Sequence, residues 1–454
     1  MYQNTNKEVF KMSVPIFFEL LLQLLVGNID QIMVSRYSQS SVAAINNGNQ
    51  IMNIIIIVLN CMSVATTILI TRAFGSGEKK QAKVVANVSV YLLASFSVVV
   101  TIGIFIFNKA IFRGLSIPEE ILIETSNYTV IVASFILIQA LYQIIAAVLR
   151  SYNLMKEITM VALIMNGINI VGNTILIKFY GIVGAAISTD FSKLIGLIII
   201  VIVFLKKTDM DLSFLHIKYF SKKMAKQLLV IAIPSGGEAL SYQLSQMYIL
   251  RFVNTFGVAV IASRGYCNML ANIAYVYSMA IAQASQILVG YLYGKGDYKS
   301  IGIRVKSSCI ISMVVSVGLT ILMLINSDTV VGLFTNERVI LDLCHKVLFV
   351  EIVLEIGRSI NITMVKCLIA TGDVNVPVIF CVFSAWVIAV GFSYIFGIRL
   401  GWGLVGIWIA MACDECLRGM AFIIRFLQGK WKTTKIWLLI CFLLNLFIII
   451  CLSG

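Results

Sequence analysis

Ionisable residues lie inside long apolar runs of this chain: Glu19 and Asp30 in the first run, Glu238 in the seventh, and Glu351, Glu355 and Arg358 in the tenth. On insertion scales an ionisable group in such a run costs at least ~2.5 kcal/mol, so each one needs a reason. Asp30 falls near one end of its run, with only Arg36 beyond it, a place that fits a solvated helix end or a cation or proton site. Glu19 and Glu238 each follow a proline, Pro15 or Pro234, by four residues. That recurrence gives Glu19 a structural role. Glu238 is followed by Ser241, Tyr242, Gln243, Ser245 and Gln246, a polar stripe that fits a wet cavity. Glu351, Glu355 and Arg358 share one helix face by their spacing. Glu355 can neutralise Arg358, which leaves Glu351 without an obvious local partner. Two readings stay open: a buried ion pair with Glu351 close to an interface, or an acidic wall for a cationic ligand. Asp414 with Arg418 and Asp190 with Lys193 have helical i,i+4 and i,i+3 spacing and are expected to neutralise each other.

Helices through a bilayer are the elements that must hold these groups. Apolar residues make up 60% of the 454 residues and charged residues 12%, with a mean hydropathy of +0.97. Soluble domains carry about 25% charged residues. Twelve apolar runs are long enough to cross ~30 Å of hydrocarbon as helices: 12–34, 46–70, 86–108, 127–149, 158–179, 182–205, 228–252, 265–290, 306–327, 345–369, 375–397 and 403–427. Strict alternation of apolar and polar residues is absent, which disfavours an outer-membrane barrel. The fold class is therefore an all-α polytopic membrane protein.

An offset of 219 residues lays the first half on the second. Pro15 meets Pro234, Glu19 meets Glu238, and Gly75-Ser76-Gly77-Glu78 meets Gly294-Lys295-Gly296-Asp297. Further on, Gly181-Ile182-Val183-Gly184 meets Gly403-Leu404-Val405-Gly406 with a small drift. Two parallel six-helix repeats are what a two-lobed secondary transporter needs. The expected lobes are 1–205 and 228–427, joined by a cytoplasmic linker over 206–227. Residues 428–454 add a basic segment and an apolar run, 436–452, that could form an extra helix.

The net charge of +14 would suggest nucleic acid on a soluble protein. Here the lysines and arginines collect in alternate loops, after runs two, six, eight and twelve and before run one. By the positive-inside rule those loops and the start of the core are cytoplasmic, and no nucleic-acid role is expected. The N-terminus has no small-residue cleavage site and is not read as a signal peptide. Cys413 and Cys416 have a redox spacing but sit inside an apolar run, where packing is the expected role. The glycine-containing turns at 75–77 and 294–296 read as tight loops, since neither follows a strand in the manner of a phosphate loop.

The two repeats, the Pro15, Glu19 and Asp30 pattern, the Ala73-Phe74-Gly75-Ser76-Gly77-Glu78 turn and the closing Gly401–Ala410 segment with Gly429-Lys430-Trp431 resemble the multidrug and toxic compound extrusion (MATE) family. Over most of 8–431 the order of these motifs is similar to that family. The aspartate of the first run is similar to its prokaryotic, DinF-like branch. The resemblance implies a cation-coupled antiporter that takes sodium or protons in and organic, often cationic, compounds out. Carried over residue by residue, it implies a coupling site of Asp30, Asn169, Asn173 and Thr189, which would be the ligands if the ion is sodium. Asn169 and Asn173 share a helix face, and all four residues offer oxygen to a hard cation. Asn173 stands where the branch commonly has a second aspartate, so sodium and proton both remain open. Pro15 and Pro234 are the hinge candidates, and Glu238, Gln243, Glu351 and Glu355 the candidates for a substrate cavity.

No cofactor beyond the coupling ion is expected, and the partners are a small organic substrate and the lipid bilayer of the cell membrane, with the chain acting as a monomer. A lipid-linked oligosaccharide flippase of the same superfamily would carry a pyrophosphate and favour basic cavity residues, whereas the inferred faces here are more acidic. A membrane-embedded enzyme is disfavoured, because only His216 and His345 occur and neither lies in a catalytic pattern.

Overall fold

The computed structural model describes residues 2–35, 38–115, 117–210, 216, 218 and 220–432, with the side chains of 27, 28, 30–32, 35 and 39 outside that description. The apolar run 436–452 lies outside the described residues. Among the described residues every regular element is a helix. These are α1 (Asn6–Ser35), α2 (Gln39–Gly75), α3 (Lys79–Gly114), α4 (Glu119–Ser134), α5 (Ile136–Ser151), α6 (Met155–Lys207), α7 (Lys222–Asn254), α8 (Val258–Lys295), α9 (Tyr298–Ile325), α10 (Ser327–Gly332), α11 (Arg338–Ala370), α12 (Asn375–Ser384) and α13 (Gly403–Leu427). Two π-helical stretches, Ala385–Val390 and Ser393–Arg399, continue α12.

All twelve apolar runs fall on helices, with three departures from a one-run, one-helix pattern. The fourth run is divided between α4 and α5, which meet at 44°. The fifth and sixth runs join in α6, whose only non-helical residue is Gly181, at φ 55° and ψ −131°. That backbone is open to glycine and closed to side-chain-bearing residues. Just beyond it, a Cβ at Gly184 would stand 2.2 Å from the Leu176 carbonyl oxygen, so the return needs glycine there as well. The eleventh run passes from α12 into the π-helical stretches. Among the described residues seven helices are long and apolar enough to cross a membrane, and the bent α4–α5 pair makes an eighth. α7, α11 and α13 fall short because they hold the charged and amide groups discussed below.

The chain divides into two compact units. Among the described residues the first comprises 18–232, and the second comprises 2–17 with 233–432. Both crossings occur inside a helix, between Phe17 and Phe18 in α1 and between Ala232 and Ile233 in α7. Each lies within three residues of a buried proline, Pro15 or Pro234. Residues 2–17, which sequence places with the first lobe, pack with the second unit. The Tyr2 and Tyr291 rings are 5.1 Å apart, Asn4 donates to the Ser300 carbonyl at 3.3 Å, and Phe17 meets Tyr277 at 6.0 Å. Arg304, fully buried, donates to the Thr5 carbonyl at 3.3 Å and to Asn6 Oδ1 at 2.7 Å, at the first turn of α1.

In the first unit α2 packs on α3, α4 and α5, with Thr66 and Ser89 hydroxyls 2.7 Å apart inside the contact. In the second unit α11 is the central helix, against α8, α9 and α13. One apolar core there gathers Ile249, Leu348, Ile407 and Trp408.

The described residues of the linker are fixed to the first unit. Lys207 Nζ reaches Glu157 at 2.6 Å, and Asn87 Nδ2 donates to the His216 carbonyl at 3.1 Å. Asp209 accepts from Lys79 Nζ at 2.6 Å and from the Tyr152 hydroxyl. The Lys79 hydrogen bond, then the Tyr152 one, holds the Asp209 carboxyl below its usual range. A carboxylate whose pKa is depressed on docking stabilises the docked form above its undocked pKa and loses that contribution as pH falls through the docked value. The expected result is that protection from hydrogen exchange across 207–210, relative to an unstructured peptide at the same pH, is high at neutral pH and falls below pH ~4. Asp209→Asn should lower that protection already at neutral pH.

Candidate functional site

The break at Gly181 turns α6 back on itself, so that its two limbs face each other. Asn169 and Asn173 lie buried on the first limb, one turn apart, and Thr189 is half-buried on the second. Asn169 Nδ2 donates to Thr189 Oγ1 at 3.2 Å, and Asn173 Nδ2 donates to Asn169 Oδ1 at 3.4 Å. Three of the four residues implied for the coupling site therefore form one connected cluster. The fourth, Asp30, is on α1, and its side chain lies outside the described residues.

Ser188 and Asn166 are polar members of this region that spacing did not single out. Ser188 Oγ donates to the Asn169 carbonyl at 2.9 Å and ties the limbs together. Asn166, one turn before Asn169 on the same face, buries an Nδ2 with no hydrogen-bond partner among the described residues. The i−3 spacing to Asn169 was the available signal. Ser188 approaches so closely because its neighbour is Gly172, where a Cβ would stand 2.3 Å from Ser188 Oγ. Gly172→Val is thus expected to part the limbs and break the Asn169–Thr189 bond. A fall in melting temperature of several degrees, with Ser188→Gly partly restoring it, would be read in purified protein. An apolar groove of about 550 Å3, lined by Ile164, Val171, Ile175 and Phe191, adjoins the same contact.

The expected Asp190–Lys193 pair does not form. Asp190 is 2% exposed, and neither carboxylate oxygen has a hydrogen-bond partner among the described residues. Lys193 acts on it only at longer range. One turn of spacing permits an ion pair without enforcing it, and here the ammonium and the carboxylate do not meet. Glu19, by contrast, has the structural role that its position implied: Arg150 Nη2 reaches its Oε1 at 2.7 Å.

In the second unit the acids of α11 are bound by their own arginine. Glu351 and Glu355 are 1% and 0% exposed. Arg358 Nη1 donates to Glu351 at 2.9 Å and to Glu355, and its Nε lies 3.9 Å from Glu415. Glu351 is not left unpartnered, as local spacing alone suggests, because Trp408 Nε1 of α13 also donates to it at 2.6 Å. Glu415, which sequence reading passed over beside Asp414, accepts from Asn361 at 2.6 Å. One guanidinium thus serves three carboxylates. The expected Asp414–Arg418 pair does form, with Arg418 Nε donating at 3.0 Å and Ser384 donating to the same carboxylate. Arg418 also lies over the Tyr242 ring at 5.9 Å. Glu238, on α7, is half-buried with no hydrogen bond or ion pair among the described residues, although Arg418, Lys366 and Glu415 act on it electrostatically. Gln243 is exposed. Cys413 and Cys416 are free thiols.

Comparison with known proteins bears on what this arrangement serves. The MatE family model matches the chain twice, over residues 15–175 and 234–395. The two matches begin at the paired prolines. An uncharacterized transporter, YisQ, of Bacillus subtilis (strain 168) is 32% identical over 95% of this chain and 94% of its own length. A probable multidrug resistance protein, NorM, of Thermotoga maritima is 23% identical over 94% and 93%. A solved structure described as the outward-facing conformation of a multidrug resistance MATE family transporter of the MOP superfamily shares the fold. Its TM-score is 0.87 at 22% identity, covering 94% of this chain and 97% of that one.

Proposed function

Because this chain belongs to the MatE family of multi-pass membrane transporters, we propose that it is a cation-coupled multidrug exporter. The observation that carries this reading is the family match in both halves, which covers Asn169 and Asn173 of the α6 cluster in the first and the acidic α11 in the second. Sodium or a proton would enter down its gradient and load Asp30, with Asn169, Asn173 and Thr189 supplying neutral oxygens. These three already share hydrogen bonds, so a cation would replace contacts they make with one another, at a modest cost in rearrangement. The substrate would be an organic, often cationic, compound, for which Glu238 and Gln243 offer groups with no bonded partner to displace, and Glu351 and Glu355 add negative field.

Pro15 and Pro234 suit the hinge role. Each removes one backbone hydrogen bond inside a helix, which lowers the cost of bending there. The unit boundaries fall beside both of them. In this reading the chain lies in the cell membrane with the start of its core in the cytoplasm, consistent with the basic loops. It works as a single chain.

The test is transport by purified protein in proteoliposomes with a fluorescent organic cation. Transport stimulated by an imposed sodium or proton gradient is the result expected. Equal transport with and without either gradient would remove cation coupling from the account.

A further inference from the structure

We propose that a stripe of exposed amides on α2, formed by Asn46, Gln50, Asn53 and Asn60 with Gln143 of α5 beside it, binds uncharged hydroxyl and carbonyl groups of the exported compound. The inference rests on the exporter reading and names what the first unit recognises in its cargo.

Asn46, Gln50, Asn53 and Asn60 follow one another by four, three and seven residues, which keeps them on one side of the helix. All four are exposed. The opposite side of α2 is packed: a Cβ at Gly48 would stand 2.6 Å from Thr129 Oγ1 of α4. At the rise of an α-helix the stripe runs for about 21 Å. Lipid is the wrong neighbour for it, because hydrocarbon offers an amide no partner. The exposed face of α3, in the same unit, has the composition that suits lipid, with Val99, Ile102, Phe105 and Ile106 each half or more exposed.

The repeat does not demand amides at these places. With the offset of 219 residues, the same four positions on α8 are Gly265, Met269, Asn272 and Met279. The second unit builds its equivalent helix with one amide there instead of four, so folding does not account for the stripe.

Its chemistry is neutral hydrogen bonding. No ionisable residue occurs on α2 between Gln39 and Thr71. An amide donates and accepts at once, and so it matches hydroxyl, carbonyl and amide groups alike. Gln143 Nε2 donates to Asn60 Oδ1 at 2.9 Å, which leaves the Asn60 amino group and the Gln143 oxygen unused among the described residues. Gln50 and Asn53 make no side-chain hydrogen bond among the described residues, so a ligand displaces no protein partner from them.

The experiment is equilibrium binding of two probes to purified protein in nanodiscs. Doxorubicin is a cation that carries sugar hydroxyls and ring carbonyls, and tetraphenylphosphonium is a cation with no hydrogen-bonding group. Saturable doxorubicin binding to the unaltered protein is expected. In a Gln50→Leu, Asn53→Leu double variant the ratio of doxorubicin affinity to tetraphenylphosphonium affinity should fall roughly tenfold. Gln50→Asn with Asn53→Gln, which keeps both amides, should recover most of that ratio. If the leucine pair does not fold, Gln143→Leu decides alone, with a fall of about threefold expected. An unchanged ratio in the variant that decides would overturn the proposal. A leucine pair that changes the oligomeric state while keeping the ratio would assign the stripe to contact between copies, and would overturn it as well. So would the absence of doxorubicin binding to the unaltered protein, which leaves the exporter reading in place, since that is judged by gradient-driven transport of an organic cation.

Discussion

Gradient-driven export is expected to vanish in an Asp30→Asn variant that still folds and inserts. Among Asp30, Asn169, Asn173 and Thr189 only Asp30 carries a charge, and the other three already satisfy one another in part. Asparagine keeps the size and the oxygen but removes the negative field that draws a cation in. Coupling between ion and substrate is reciprocal, so a first unit that no longer loads the ion no longer uses its gradient to expel the substrate. Passive exchange of substrate can persist. Asn173→Asp should act oppositely and strengthen sodium dependence, by adding a carboxylate one turn from Asn169. The readout is substrate efflux from proteoliposomes under an imposed gradient at matched protein content. Unaltered rates in Asp30→Asn would move coupling to the second unit, where Glu238 is a half-buried acid with no bonded partner among the described residues.

The largest loss of stability is expected from Arg358→Met. This guanidinium faces Glu351, Glu355 and Glu415 and is itself largely buried. Removing it strands three carboxylates in the interior of the second unit. Breaking one buried pair costs about 3–5 kcal/mol, so the variant should lie at or beyond the limit of folding. Arg358→Lys should recover part of the loss, because one ammonium cannot reproduce the fork that spans α11 and α13. Glu355→Gln should be tolerated within about 1 kcal/mol, since it removes one of three like charges and keeps an acceptor. Thermal unfolding in detergent distinguishes the three. An Arg358→Met protein as stable as the unaltered one would show that these acids are held by other means.

Much of this fold was legible because bilayer spans leave a strong signal in sequence. Twelve apolar runs fall on helices, and the paired prolines found by internal alignment are where both family matches begin. What composition could not show is how helices continue or break. Gly181 lies between two runs that read as separate spans, yet the helix resumes across it, since a single residue in a glycine-only conformation suffices for the reversal. The attachment of residues 2–17 to the second unit was equally hidden, because it depends on Arg304, which is some three hundred residues away in the chain.

The site was legible to the extent that helical periodicity determines it. Asn169 and Asn173 share a face, and Thr189 meets them only because of the Gly181 return. Spacing misjudged the charges. Asp190 and Lys193 have a pairing spacing but form no ion pair, while Glu351 finds Trp408 on a helix far along the chain. Local spacing says which pairs are permitted, and tertiary packing decides which form.

Simultaneous recording of substrate and coupling ion tests the central claim most directly. Purified protein in proteoliposomes is given substrate on one side only, with no ion gradient at the start, while radiolabelled sodium and internal pH are followed together. An antiporter converts the substrate gradient into opposite movement of one of the two ions, so sodium or protons should flow towards the substrate-rich side, and Asp30→Asn should stop that flow. Substrate movement with neither ion moving, or with an ion moving in the same direction, would contradict the account.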